Sequence, residues 1–156
     1  MSDPAGEIYA LLVPLAEERL LVPRACIAEV IGFSRPVPRP GAADWLLGTV
    51  NWSGRNLPVV SFEGACGRTP PAAGSRTRIV VFFAITGRLD GGYYGVLTQG
   101  FPQLVRVHAD AIHGSAARHW PDDSPVITQP DMLDEQPLIP DLERIEEMLQ
   151  AELAEA

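Results

Sequence analysis

Three histidines, His108, His113 and His119, fall close together with Asp110, Asp122 and Asp123 among them. Imidazole and carboxylate are the ligand types of zinc and related divalent sites. Spacings of five and six residues put no two of the histidines on one helix face, and no Cys or His pair elsewhere completes a set. Three loop histidines beside solvated acids is the stronger reading. Ser53 precedes Gly54, but there is no Gly-x-Ser-x-Gly elbow and no patterned base. Cys26 lies among aliphatics, as a buried structural thiol does. Gly64-Ala65-Cys66-Gly67 lacks the Lys and the strand-to-helix setting of a phosphate loop, and Gly91-Gly92 reads as a turn. Nothing assembles into an acid–base pair. The sequence therefore predicts no catalytic residue, no metal site and no cofactor: a protein that is not an enzyme.

The elements that would carry a site are mostly strands. Leu46 to Trp52 and Leu57 to Phe62 have strand length and composition, and Ser53-Gly54-Arg55-Asn56 between them reads as a four-residue hairpin connection. Apolar residues on both faces of both strands predict burial between two packed layers. Gly48 stands mid-strand, where glycine implies a close approach or a bend, and Pro58 marks an edge or a bulge. Ile8 to Leu15 and Leu20 to Pro23 form an opening strand pair, and Ile27 to Val30 a third strand with Glu29 outward. Ser34 to Gly41 is a proline-rich connector and Gly64 to Ser75 a loop, a candidate boundary between two halves of the fold. The apolar run Ile79 to Ile85 is the strongest strand signal; Tyr93 to Thr98 returns and Gln103 to Val107 follows. His108 to Pro130 reads as loop, and Met132 to Ile139 as a short strand pair. Asp141 caps a final helix with the stripe Leu142, Ile145, Met148, Leu149 and Leu153, and Glu143, Glu146, Glu147 and Glu152 opposite. Acid at Glu152 and Glu155 opposes the helix dipole, so the end should fray.

The whole is one domain, residues 1–156, mainly β. Fifteen prolines and fourteen glycines favour many turns and short elements. A net charge of −8 opposes binding to nucleic acid or anionic membranes, although every basic residue is Arg. Two cysteines in no metal-like spacing suit free thiols in a reducing compartment. No basic leader and no apolar run of membrane-spanning length occurs, so the expectation is a soluble cytoplasmic protein with no direct membrane insertion.

The central hairpin also resembles a known family. Gly48-Thr49-Val50-Asn51-Trp52-Ser53-Gly54, followed by Leu57-Pro58-Val59-Val60-Ser61-Phe62, is similar to the signature of CheW-like chemotaxis coupling domains. The spacing is kept; Ser53 stands where the family has Arg and Ser61 where it has Asp. The resemblance runs from Ile8 to Leu149. It takes in the opening strand pair, Ile27-Ala28-Glu29-Val30 against a Val-x-Glu-Ile pattern, and the closing Pro140-Asp141-Leu142. Gln99-Gly100-Phe101-Pro102 resembles the divergent couplers of pilus-associated chemosensory systems, the ChpC-like kind.

The resemblance implies two small five-stranded β-barrels packed together and closed by a C-terminal amphipathic helix. It implies a non-catalytic adaptor that couples a chemoreceptor's cytoplasmic tip to the regulatory domain of a CheA-type histidine kinase. It places Ile27, Glu29, Gly48, Ile79 and Gly95 on the groove side, with Ser53 in the place of a family Arg and Arg55 as its compensation. Two alternatives stand beside it. One is an accessory adaptor of a type IV pilus system with a different partner. The other is a small β-barrel binder of single-stranded nucleic acid, using Trp45, Trp52, Tyr93 and Tyr94 with a patch of Arg35, Arg39 and Arg55; the acidic balance argues against it.

Overall fold

The computed structural model describes residues 7–108, 113–114, 124–128, 130–131 and 136–154. β1 (Glu7–Pro14) turns through residues 15–18 into β2 (Arg19–Pro23), the turn closed by Leu15 N–H donating to Glu18 O. Leu12, Val13, Leu20, Leu21 and Val22 are all buried, so this hairpin is apolar on both faces. A 3-10 turn, Arg24–Cys26, leads into β3 (Ile27–Gly32). β4 (Leu46–Trp52) and β5 (Arg55–Val60) are the central hairpin. Its connection has two residues, not four. Trp52 pairs with Arg55, and Ser53 and Gly54 take φ of 50° and 75°, the paired positive values that match strand twist in a tight hairpin. Phe62 does not extend β5 but opens a short helix, α1 (Phe62–Ala65), capped by Ser61, whose Oγ accepts Gly64 N–H at 3.1 Å. The family Asp at this position is thus replaced by another good capping side chain.

β6 (Arg78–Phe83), β7 (Tyr93–Thr98) and β8 (Gln103–His108) follow, then the short strands β9 (His113–Gly114), β10 (Val126–Thr128), β11 (Pro130–Asp131) and β12 (Ile139–Pro140). α2 spans Leu142–Ala154, and Asp141 Oδ1 accepts Arg144 N–H at its start. The predicted fraying after Leu149 does not occur at once. The helix runs five residues further because Glu152 Oε1 accepts Ala43 N–H at 2.7 Å and Arg39 Nη2 donates to Leu153 O.

Two strand arrays result. One is a five-stranded sheet, β3-β6-β7-β5-β4, antiparallel except for β5 with β7. The other is the sheet β2-β1-β8, extended beyond β2 by backbone bonds between Leu138 and the Arg19–Leu21 segment to the pair β12-β10. The main core lies between the arrays and under α2, built from Val13, Leu20, Phe62, Val80, Phe82, Tyr94, Ile145 and Leu149 among others. A second core, with Leu57, Val59, Ile79, Val81 and Leu97, draws among the described residues only on strands of the five-stranded sheet. Val59, Ile79 and Val81 are nonetheless fully buried, so that sheet must curl around its own face. The expectation of two closed barrels is met only in its coarser form, a mainly β fold with a C-terminal helix. Each array has five strands, but among the described residues no ladder joins β3 to β4 or β8 to β10, so neither closes.

Gly48 explains how the β4 edge is covered. It sits at a bulge with φ of 136°, and a Cβ there would lie 2.2 Å from Val37 O. Its absence lets the proline-rich connector reach the edge, where Val37 and Thr49 exchange both backbone bonds, at 2.8 and 3.0 Å. An unprotected edge strand is thereby blocked over part of its length.

Candidate protein-docking groove

Among the described residues β3 pairs only with β6, which leaves its other edge open, and its residues do not alternate cleanly. A bulge between Ile27 and Glu29 makes Ala28 an extra residue. Ile27 and Val30 pack on the main core, Ala28 and Ile31 on the second one, and Glu29 is left exposed opposite Val81. A groove of about 480 Å³ opens here. Leu11 from β1, Ile27, Ala28 and Val30 from β3, and Phe83 from the end of β6 give it apolar side chains, while exposed backbone and two charged residues make about half of its surface polar. Arg24 and Glu29 are its only charged lining residues, both exposed and, among the described residues, neither paired with an opposite charge. The sheet of β1 and β8 continues the apolar face: Leu104 lies opposite Leu11, and Arg106 stacks 5.6 Å over the ring of its cross-strand neighbour Tyr9. A trough that mixes apolar side chains, exposed backbone and two charges is suited to taking a side of another polypeptide.

No competing reactive centre appears among the described residues. Burial pushes both thiols up, and the Arg68 guanidinium beside Cys66 only partly opposes this. The histidine–aspartate group falls largely outside the described residues. A larger cavity, about 570 Å³, lies at the C-terminal end of α2, but its arginines are engaged with the helix: Arg39 with Leu153 O and Arg88 with Gln150 Oε1.

The seven residues singled out in the sequence fall into three places. Ile27 and Glu29 line the groove. Ser53 and Arg55 stand at the exposed tip of the β4–β5 hairpin, where Arg55 Nη1 donates to Gly91 O at 3.1 Å and the guanidinium lies 5.2 Å over the Tyr93 ring. Gly48, Ile79 and Gly95 are interior. A Cβ on Gly95 would meet Ile79 Cγ2 at 2.7 Å and Leu57 Cδ2 at 3.2 Å, so these two residues set the packing of the second core. Of the residues the nucleic-acid alternative would use, Tyr94 is fully buried against Phe82 and Arg39 donates to Leu153 O, which takes both out of a stacking platform.

Sequence reasoning missed Leu11, Arg24 and Phe83 in the groove, since nothing in their local pattern says that β1, the 3-10 turn and the end of β6 converge. It also placed Glu146 on the solvent face of α2. Glu146 is instead fully buried, accepting Ile85 N–H, Thr86 N–H and the Thr86 hydroxyl. A signal existed: Leu142, Glu146, Leu149 and Leu153 follow the i, i+4, i+7, i+11 stripe.

A family model for the CheW-like domain matches residues 10–150. Among solved structures, the chain is similar to the scaffolding protein TtCheW from Thermoanaerobacter tengcongensis, with a TM-score of 0.71 and 16% identity over 85% of this chain and 88% of that one. At that identity the likeness speaks to the fold. No curated protein matches significantly. With strand order, closing helix and family match in agreement, the chain belongs to the CheW-like domain family.

Proposed function

We propose that this protein is a non-catalytic adaptor of a bacterial chemosensory array, acting in the cytoplasm. In this reading it holds a chemoreceptor's cytoplasmic tip and the regulatory domain of a CheA-type histidine kinase in one assembly. The observation that carries the reading is the groove beside β3, where the side chains of Leu11, Ile27, Val30 and Phe83 meet the charges of Arg24 and Glu29. Such a trough suits one face of an amphipathic helix, and a receptor tip is a helical hairpin. Ile27 and Glu29 touch the partner, and Ser53 and Arg55 border it at the hairpin tip. Gly48, Ile79 and Gly95 act by shape, fixing the connector and the second core that hold the strands in place. The two five-strand arrays correspond to the two barrel halves of the family fold.

An output through type IV pili is the second reading. It is favoured by Phe101 in the Gln99–Pro102 segment, which is 66% exposed with Arg78 stacked 4.8 Å over its ring. That is a surface suited to a partner of its own. Sedimentation of the chain mixed with a receptor-tip fragment and a kinase regulatory domain tests the adaptor function. A ternary species larger than either binary complex is expected. Mutual displacement of the two partners, or binding of neither, overturns the proposal.

A further inference from the structure

The groove does not end at Phe83. That ring lines it and is 41% exposed, yet also lies 5.6 Å from the ring of Tyr93, its cross-strand neighbour. Tyr93 in turn meets Trp52 edge-on at 4.8 Å and carries the Arg55 guanidinium at 5.2 Å. Register places these groups on one side of the sheet: Phe83 opposite Tyr93, Val81 opposite both Glu29 and Gly95, and Gly95 beside Val59, with Arg55 four residues before it. They form the mouth of the curled sheet.

We infer that the docking surface continues from the groove across Phe83 to this mouth, and that its occupant is an amphipathic helix presenting a basic residue to Glu29 and an acidic residue to Arg55. The inference rests on the adaptor reading and adds the partner's charge order to it. The plainer account of the aromatic row is that it plugs the end of the second core. That account covers Trp52 and Tyr93, which pack against that core, but not Phe83, which does not belong to it. Nor does it explain Arg55. Its one hydrogen bond, to Gly91 O, and its stacking on Tyr93 hold the guanidinium in place, yet no carboxylate among the described residues pairs with it. A guanidinium held flat on a ring is weakly hydrated and keeps free donors for a bidentate carboxylate. In a chain of net charge −8, an acidic partner segment needs such a dedicated cation.

The spacing of the two charges can be bounded. Three strand steps from β3 to β5 amount to about 14 Å, and four residues along a strand add about 13 Å at right angles. The distance along the sheet is then about 19 Å, and the curl only shortens it. A helix rises about 1.5 Å per residue, so the partner's basic and acidic residues lie within about 13 residues of each other on one face.

Calorimetric titration of the full chain with a recombinant chemoreceptor signalling-tip hairpin, and separately with a kinase regulatory domain, tests this. Arg55→Glu and Phe83→Ala change exposed side chains and should keep the wild-type melting curve. Each should weaken tip binding by about tenfold or more while leaving the kinase domain's affinity unchanged. A tip with one acidic residue of its docking face reversed to Lys should recover affinity for Arg55→Glu. If wild type binds the tip and both variants bind it equally, the surface stops at the groove and the adaptor reading stands without the extension. If wild type binds neither protein, the adaptor reading itself falls and takes this inference with it. If the variants instead lose a concentration-dependent self-association of this chain, the occupant is a second copy and the inference is wrong.

Discussion

The seating of α2 turns on Glu146, a fully buried side chain with no cation beside it among the described residues. Oε2 accepts Ile85 N–H at 2.8 Å; Oε1 accepts Thr86 N–H at 3.0 Å and the Thr86 hydroxyl at 2.5 Å. Glu146→Gln turns one acceptor into a donor. If the amide keeps its oxygen on Thr86, its NH2 faces Ile85 N–H; if it flips, Thr86 N–H is stranded and the Thr86 hydroxyl must turn from donor to acceptor. A hydrogen bond to a charged group contributes about 1.5–3 kcal/mol, so losing one and weakening two, offset by a smaller desolvation cost, should destabilise by about 2–3 kcal/mol. For a chain of this size that lowers the melting temperature by about 4–12 °C. Glu146→Ala strands all three donors and leaves a hole, and should cost about 4 kcal/mol or more. Urea unfolding followed by tryptophan fluorescence should show a lower midpoint at unchanged slope. A double-mutant cycle with Thr86→Ala should give a coupling of about 1–2 kcal/mol. A Glu146→Gln protein that unfolds at the wild-type urea concentration would refute the latch.

Three further outcomes follow from the same packing. Gly48→Ala, with a Cβ 2.2 Å from Val37 O and φ of 136°, should destabilise by about 3 kcal/mol or more, read by thermal melting. Truncation after Leu149 removes the Glu152–Ala43 and Arg39–Leu153 contacts and should cost about 2 kcal/mol; a melting curve like that of the full chain would show that the last turn is idle. Tyr94 is buried with its hydroxyl unbonded, so Tyr94→Phe should be neutral or stabilise by up to about 1 kcal/mol. Burial first, then the Glu146 carboxylate and Cys26, pushes the Tyr94 phenol well up. The protonated ring therefore favours the folded state fully below the unfolded value of about 10, and that contribution is lost as pH rises beyond it. Wild type should lose stability above that pH more steeply than Tyr94→Phe.

Strands whose apolar runs are long and bounded by turn residues were legible in the sequence: β1, β2, and β4 to β8 all stand within a few residues of where the pattern puts them. Local chemistry misjudged the ends. The pattern leaves Ser53-Gly54 inside a longer loop because it does not show that both residues take positive φ, and Ser61 reads as strand until its cap to Gly64 is seen. The groove was half legible. Ile27 and Glu29 stand out by alternation and resemblance, but Leu11, Arg24 and Phe83 reach the groove through tertiary packing. Gly48 was visible as a costly strand glycine and Gly95 only through the resemblance, and the contacts with Val37 and Ile79 show what each makes room for. Glu146 was misplaced because a carboxylate on a helix is ordinarily solvated, and the loop amides that satisfy it lie some sixty residues away.

Glu29 offers the most direct test of the adaptor account. The side chain is exposed, so Glu29→Arg should change stability by less than about 0.5 kcal/mol. In a docked complex it would set like charges together and desolvate one, at a cost of about 2–5 kcal/mol. Titrations of wild type and Glu29→Arg with a chemoreceptor tip and with a kinase regulatory domain, beside a melting curve, form one comparison. The account predicts a folded variant that binds the kinase domain as wild type does and no longer binds the tip. A Glu29→Arg protein that binds the tip with wild-type affinity would contradict it, and would leave Glu29 a solvated strand residue and the groove without its assigned partner.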